Sequence, residues 1–225
     1  MDYRGMGSYG DPHQDLHCPK YKVILVGEEG VGKTSIFRRL KDGTFQEGTV
    51  TTLGLDEFSA TRELGNSGSL VRLHLWDTAG SERFRAMTKS YYHSANAVVF
   101  VFSLDRSASL ISLKYWIDDA KALAPQNALH IFVCNKIDLA DEEQVIYENE
   151  IGAFFASPGL SSENLYRTSA KENTGIQEVI DAVLMKLDQC SQSSSHTAGA
   201  IRMDSQEDAL NPEMPPDNSI ANRCC

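Results

Sequence analysis

The sequence predicts an α/β domain: a mostly parallel, six-stranded sheet flanked by helices, with one antiparallel hairpin. Short runs rich in Val, Ile and Phe alternate with amphipathic stretches along most of the chain, the order that builds strand-helix-strand units. Several of those runs are continuously apolar, which requires cover on both faces of the sheet. One pair of runs, within Phe58 to Trp76, is interrupted only by Asn66-Ser67-Gly68, a break short enough for a hairpin.

Tyr21 to Val26 is the first strand, and Ser35 to Lys41, after a Gly-rich turn, is the first helix. The hairpin adds two strands, the second over Val71 to Trp76, and Ala97 to Ser103, His130 to Asn135 and Leu165 to Thr168 complete the set. Ser107 to Ala122 places Leu110, Leu113, Ile117 and Ala120 three or four apart. Thr174 to Leu187 does the same with Ile176, Val179, Ile180, Val183, Leu184 and Leu187, so both are helices by period. Trp116, Met185 and Cys134 are assigned to packing.

The folded unit is expected over residues 20–188. Residues 1–19 carry three Gly, His13 and His17 without apolar periodicity and read as a flexible extension; residues 189–225, rich in Ser, Pro and Asn, read as a disordered tail. The formal charge of -10, from 21 basic against 31 acidic residues, argues against a nucleic-acid binder. The longest unbroken apolar run, Ala97 to Phe102, is far short of the roughly 20 residues that cross a bilayer. No apolar segment near the start resembles a secretory signal, and five scattered cysteines argue against structural disulfides or zinc.

Gly27-Glu28-Glu29-Gly30-Val31-Gly32-Lys33-Thr34 matches G-x-x-x-x-G-K-[ST] between a predicted strand and a predicted helix. Glycines let backbone N–H groups wrap phosphates at a helix N-terminus, Lys33 brings a point charge, and Thr34 offers a hydroxyl to Mg²⁺. Asn135-Lys136-Ile137-Asp138 follows a strand, at the carboxyl end where ligands bind. A carboxylate there accepts from both the ring N–H and the exocyclic amine of guanine, whereas adenine presents no such pair of donors, and a site built on hydrogen bonds rejects it. Trp76-Asp77-Thr78-Ala79-Gly80 ends another strand with a carboxylate able to hold Mg²⁺ through water and a Gly whose N–H can reach a terminal phosphate. Ser169-Ala170-Lys171 ends the last strand, where backbone N–H groups could cap a base carbonyl.

Taken in order, these segments and Thr52 resemble the small Ras-like GTPases, whose fold is the P-loop NTPase type. Glu82-Arg83-Phe84-Arg85, Thr88, Tyr91-Tyr92 and the terminal Cys224-Cys225 narrow the resemblance to the Rab family of membrane-traffic GTPases. The resemblance implies a nucleotide site of Glu29, Gly30, Val31, Gly32, Lys33, Thr34, Ser35, Phe45, Thr52, Gly80, Asn135, Lys136, Asp138, Leu139, Ser169, Ala170 and Lys171. It implies GTP and GDP as ligands and Mg²⁺ held by Thr34, Thr52 and, through water, Asp77. Lys33, Gly80 and the residue at Ser81 carry the catalytic roles. Thr52 and Gly80 anchor two switch segments, roughly Gln46 to Phe58 and Ser81 to Tyr92, ordered by the γ-phosphate and released on its loss. Implied partners are effectors, an exchange factor, a GTPase-activating protein and a GDP-dissociation inhibitor. The implied state is a monomer on the cytoplasmic face of an intracellular membrane, with an extracted cytosolic pool.

Three positions depart from the family pattern. Ser81 replaces the Gln that orients the attacking water and is too short for its reach, so intrinsic hydrolysis is expected to be slow. Glu29 replaces a small residue: turned inward, at about 5 Å and an effective dielectric near 20, it would repel a phosphate by roughly 3 kcal/mol, and turned outward it is solvated. Glu57 stands between Asp56 and Phe58, so either a bulge restores an aromatic contact with Trp76 and Tyr92 or the partner surface is altered.

The double-cysteine end resembles the Rab signal for two geranylgeranyl groups. The tail from Gln189 has five acidic residues against Arg202 and Arg223, so charge cannot hold it to anionic lipid and two chains must. The alternative reading is a largely non-hydrolysing GTP-binding module regulated by exchange and membrane extraction. A P-loop kinase or ATPase would leave Asp138 and the Cys pair without roles.

Overall fold

A computed structural model of the 225-residue chain describes residues 18–48, 52, 54–65, 68–80, 85–139 and 143–199, the side chains of 85–88 and 193–199 excepted. The expectations for residues 1–17, Ser81 and Cys224-Cys225 therefore lie outside the described residues. Met1–Cys190 is one compact unit and Ser191–Cys225 a second.

In chain order the elements are β1 (Lys20–Val26), α1 (Lys33–Asp42), β2 (Leu55–Leu64), β3 (Ser69–Thr78), α2 (Arg85–Tyr92), β4 (Ala97–Ser103), α3 (Ser107–Leu123), β5 (Leu129–Asn135), α4 (Glu148–Phe155), a short 3₁₀ turn (Ser162–Asn164), β6 (Leu165–Arg167) and α5 (Ile176–Gly199). The six strands lie in the order β2-β3-β1-β4-β5-β6, with β2 antiparallel to β3 and every other pair parallel. The predicted sheet and hairpin are thus present.

The continuous apolar runs are buried from both sides. All seven residues of β4 are buried. One core holds Val23, Leu25, Val99 and Val101 from the sheet against Ile36, Phe37 and Leu40 of α1 and the Ile176 to Leu187 stripe of α5. The other holds Ile24, Val98, Phe100 and Phe132 against Leu110, Leu113, Trp116 and Ile117 of α3 and Ile151 and Phe155 of α4. Successive strand residues feed opposite cores, as the period of two demands. Trp116 and Cys134 are in the core as expected. Met185 is not: it is 44% exposed, because it sits one residue past Leu184, off the apolar stripe of α5.

The β2–β3 ladder runs without a bulge from Leu55 opposite Thr78 to Leu64 opposite Ser69. Glu57 pairs with Trp76, and Phe58 turns to the other face, edge-on to Phe37 with ring centroids 6.4 Å apart. No bulge restores the aromatic contact with Trp76 and Tyr92. Trp76 instead meets Tyr91 at 5.4 Å, with Lys22 Nζ over its ring at 3.8 Å, while Tyr92 is buried in the core.

Candidate functional site

The carboxyl ends of β1, β3, β4 and β5 face one cavity of about 500 Å³, within the usual size range of small-ligand pockets. Its walls come from the glycine-rich loop, the Phe45–Gly48 segment, Thr52, Gly80, Asp105, the loop after β5 and the loop after β6. Fifteen of the residues assigned from sequence line it: Glu29, Gly30, Gly32, Lys33, Thr34, Ser35, Phe45, Thr52, Gly80, Asn135, Lys136, Asp138, Leu139, Ala170 and Lys171. Three do not. Val31 turns its side chain into the core. Asp77 is fully buried beneath Thr34. Ser169 stands behind Asp138, its hydroxyl donating to Asp138 Oδ1 at 2.5 Å.

At the loop, Lys33 is buried and its ammonium donates to the carbonyls of Gly27 and Glu28 at 2.9 and 2.7 Å. Burial lowers its pKa to about 8, against the pull of Asp77, Glu28 and Glu29. A desolvated cation held by carbonyls alone is a site for an anion. Glu29 is half-buried on the cavity wall, and its charge acts on Lys33. Gly80 is required by close approach: a Cβ there would stand 2.3 Å from Lys33 Nζ and 2.6 Å from the Glu28 carbonyl oxygen.

Beside Lys33, three oxygens converge. Thr34 Oγ1 donates to Asp77 Oδ2 at 2.6 Å and lies 2.8 Å from Thr52 Oγ1. Burial raises Asp77 to about 6, although the Thr34 hydrogen bond and Lys33 oppose it. Among the described residues, Asp77 Oδ1 is buried without a hydrogen-bond partner. Two hydroxyls and a buried carboxylate form a hard-oxygen donor set, which suits Mg²⁺.

The far end of the cavity is cross-tied through Asn135. Its Nδ2 donates to the Val31 carbonyl at 2.8 Å, and its Oδ1 accepts from Thr168 Oγ1 at 3.1 Å and Ala170 N–H at 3.3 Å. Lys136 adopts a left-handed φ of 66°, an arrangement costing roughly 1 kcal/mol or more that clusters at functional sites. Its ammonium pairs with Asp105 Oδ2 at 2.6 Å. Partial burial raises the Asp105 pKa, but hydrogen bonds from Lys136 and Ser103 outweigh it and hold the carboxyl below its ordinary value.

Asp105 and Arg39 contribute although neither belongs to a motif. Asp105 lines the cavity, and Arg39 of α1 fixes the loop after β6 by donating to the carbonyls of Ala170 and Lys171 at 2.8 Å each. The same guanidinium lies 5.6 Å from the Phe45 ring centroid, so it braces an aromatic wall as well. The four-residue reach of Arg39 forward to the Gly43 carbonyl, at 2.7 Å, is a local trace of this arrangement, and it resembles ordinary helix capping.

Comparison with known proteins agrees with this geometry. Residues 22–189 match the Ras family. The chain is 34% identical over 186 residues to the Ras-related protein RabC of Dictyostelium discoideum, covering 83% of this chain and 93% of that one. It is 35% identical over 179 residues to the Ras-related protein Rab-19 of Homo sapiens, covering 80% and 79%. It is also 35% identical over 161 residues to the Ras-related protein Rab-30 of Homo sapiens, covering 71% and 75%. With a Ras-family match over residues 22–189 and relatives named Rab at this identity, the chain belongs to the Rab family of small GTPases.

Proposed function

We propose that this GTPase is a Mg²⁺-dependent switch that recruits effectors while GTP-bound, hydrolyses GTP slowly unaided, and is anchored to an intracellular membrane by two geranylgeranyl groups on Cys224 and Cys225. The folded domain is taken as residues 20–188, with an extension before it and a tail after it. The observation that carries the nucleotide reading is one cavity walled by seven segments spread along the sequence, with a desolvated cation at one end and a carboxylate at the other.

Glycine-rich-loop N–H groups and Lys33 bind the phosphates, and Phe45, braced by Arg39, packs on the base. Asp138, oriented by Ser169, accepts from the guanine N–H groups. Thr34, Thr52 and, through water, Asp77 would hold Mg²⁺, whose charge offsets that of the outer phosphates. Thr52 and Gly80 reach the γ-phosphate and carry its presence outward to the segments around them. With Ser81 where a water-orienting Gln would act, the chain's own residues bind and polarise GTP but place the attacking water poorly.

Competition binding with GDP, GTP and ADP, each with and without Mg²⁺, tests the reading: GDP and GTP should displace a fluorescent guanine nucleotide at least a hundredfold more tightly than ADP, and equal displacement by ADP refutes it. Ser81 and Glu29 also favour a second reading, a GTP-binding module with negligible turnover. Nucleotide content as purified separates the two, since mostly GTP supports the module and mostly GDP the slow enzyme.

A further inference from the structure

Arg106 belongs to none of the motifs, yet its side chain reaches the glycine-rich loop from the start of α3. Its backbone is firmly seated: its N–H donates to the Ser103 carbonyl at 3.3 Å, and its own carbonyl accepts from Ser109 N–H at 2.9 Å and Ser109 Oγ at 2.6 Å. From that anchor Nη1 donates to the Glu29 carbonyl at 2.7 Å. Nη2 lies over Gly30, where a Cβ would stand 2.9 Å away, so a side chain there would make the guanidinium shift. Glu29 and Gly30 both line the cavity, so the planar fork lies against a stretch of its wall.

The neighbouring charges leave this cation available. Asp105, the adjacent carboxylate, is engaged by Lys136 and by the Ser103 hydroxyl at 2.6 Å. Lys33 approaches the loop from the buried side, whereas Arg106 is exposed at its outer side. An arginine at the phosphates is among the largest levers in phosphoryl transfer, whether the chain itself or a partner supplies it. Ser81 removes the other lever, the positioned water.

We propose that Arg106 is a cation supplied by the chain itself that contacts the polyphosphate of bound GTP from the solvent side and stabilises charge developing during hydrolysis. The proposal rests on the reading of the cavity as the GTP site. In the step it assists, water adds to the γ-phosphorus, the bond from that phosphorus to the bridging oxygen of the β-phosphate breaks, and GDP, phosphate and a proton are released. Arg106 neither gives nor takes the proton; it binds negative charge on phosphate oxygens through N–H groups not spent on Glu29.

Single-turnover hydrolysis by the full-length, GTP- and Mg²⁺-loaded protein tests this for wild type, Arg106→Ala and Arg106→Lys, with GDP release measured in parallel. Arg106→Ala should hydrolyse about tenfold more slowly or worse, Arg106→Lys should recover part of the loss, and GDP release should stay within about threefold of wild type. An unchanged rate in Arg106→Ala overturns the proposal. So does GDP release accelerated in proportion to the lost rate, which would make Arg106 a clamp on the loop, and so does a wild type no faster than GTP in water. A wild type that binds no GTP refutes the functional reading instead.

Discussion

Replacing Asn135 with Ala removes a side chain that ties three walls of the cavity together. Asn135 is 1% exposed and makes three hydrogen bonds, to Val31, Thr168 and Ala170. Each contributes about 1 kcal/mol net, with the 3.3 Å bond to Ala170 the weakest, and buried partners left without water cost about 1–3 kcal/mol each. Because Thr168 is itself buried and hydroxyls reorient more easily than backbone groups, the stranded Val31 carbonyl and Ala170 N–H dominate. The expected loss is about 3 kcal/mol, or roughly 6–12 °C in Tm for a domain of this size. Urea unfolding at saturating GDP measures it. Asn135→Asp is the control: the isostere keeps the acceptor but sets a carboxylate oxygen against the Val31 carbonyl, so it should be no more stable than the Ala variant. A loss below about 0.5 kcal/mol in Asn135→Ala, or a wild-type midpoint in Asn135→Asp, refutes the cross-tie.

Gly80→Ala drives a methyl into Lys33 Nζ and the Glu28 carbonyl and should weaken GTP binding by tenfold or more, about 1.4 kcal/mol, while GDP loses less; equal losses in nucleotide titrations argue against a γ-phosphate role for Gly80. Ser81→Gln should raise the intrinsic single-turnover rate about tenfold or more, and equal rates remove Ser81 as the cause of slow hydrolysis. Cys224→Ser together with Cys225→Ser should abolish sedimentation with membranes in prenylated preparations, whereas either single variant should bind marginally and reversibly; a double variant that still sediments defeats lipid anchoring.

What the sequence made legible was whatever is written locally. β4 was read to its ends, and β5 to one residue of its start, because strands buried on both faces are continuous apolar runs bounded by polar residues. The glycine-rich loop and Asn135 to Asp138 were legible for the same reason: spacing alone sets their geometry. α4 was missed because its only core residues, Ile151 and Phe155, make a single turn, too short a window for a period to appear. Its start is instead marked by Glu150, whose carboxylate accepts the Tyr147 N–H at 3.0 Å. α5 continues to Gly199 beyond its apolar stripe, where periodicity carries no signal. Arg39, Asp105 and Arg106 were invisible as site residues because their meaning lies in partners 131, 31 and 77 positions away, brought close only by the crossovers of the sheet.

The central claim is that Asp138 reads guanine, and exchanging its acceptor for a donor tests it most directly. Asp138→Asn presents an amide N–H₂ where a carboxylate oxygen stood; xanthine carries a carbonyl where guanine carries the exocyclic amine, so the complementarity should transfer. Titration of GDP and xanthosine diphosphate into wild type and Asp138→Asn should show GDP preferred by wild type and xanthosine diphosphate by the variant, each by about a hundredfold, consistent with one to two charge-assisted hydrogen bonds gained or lost. Unchanged GDP affinity in the variant, with no gain for xanthosine diphosphate, would contradict the account.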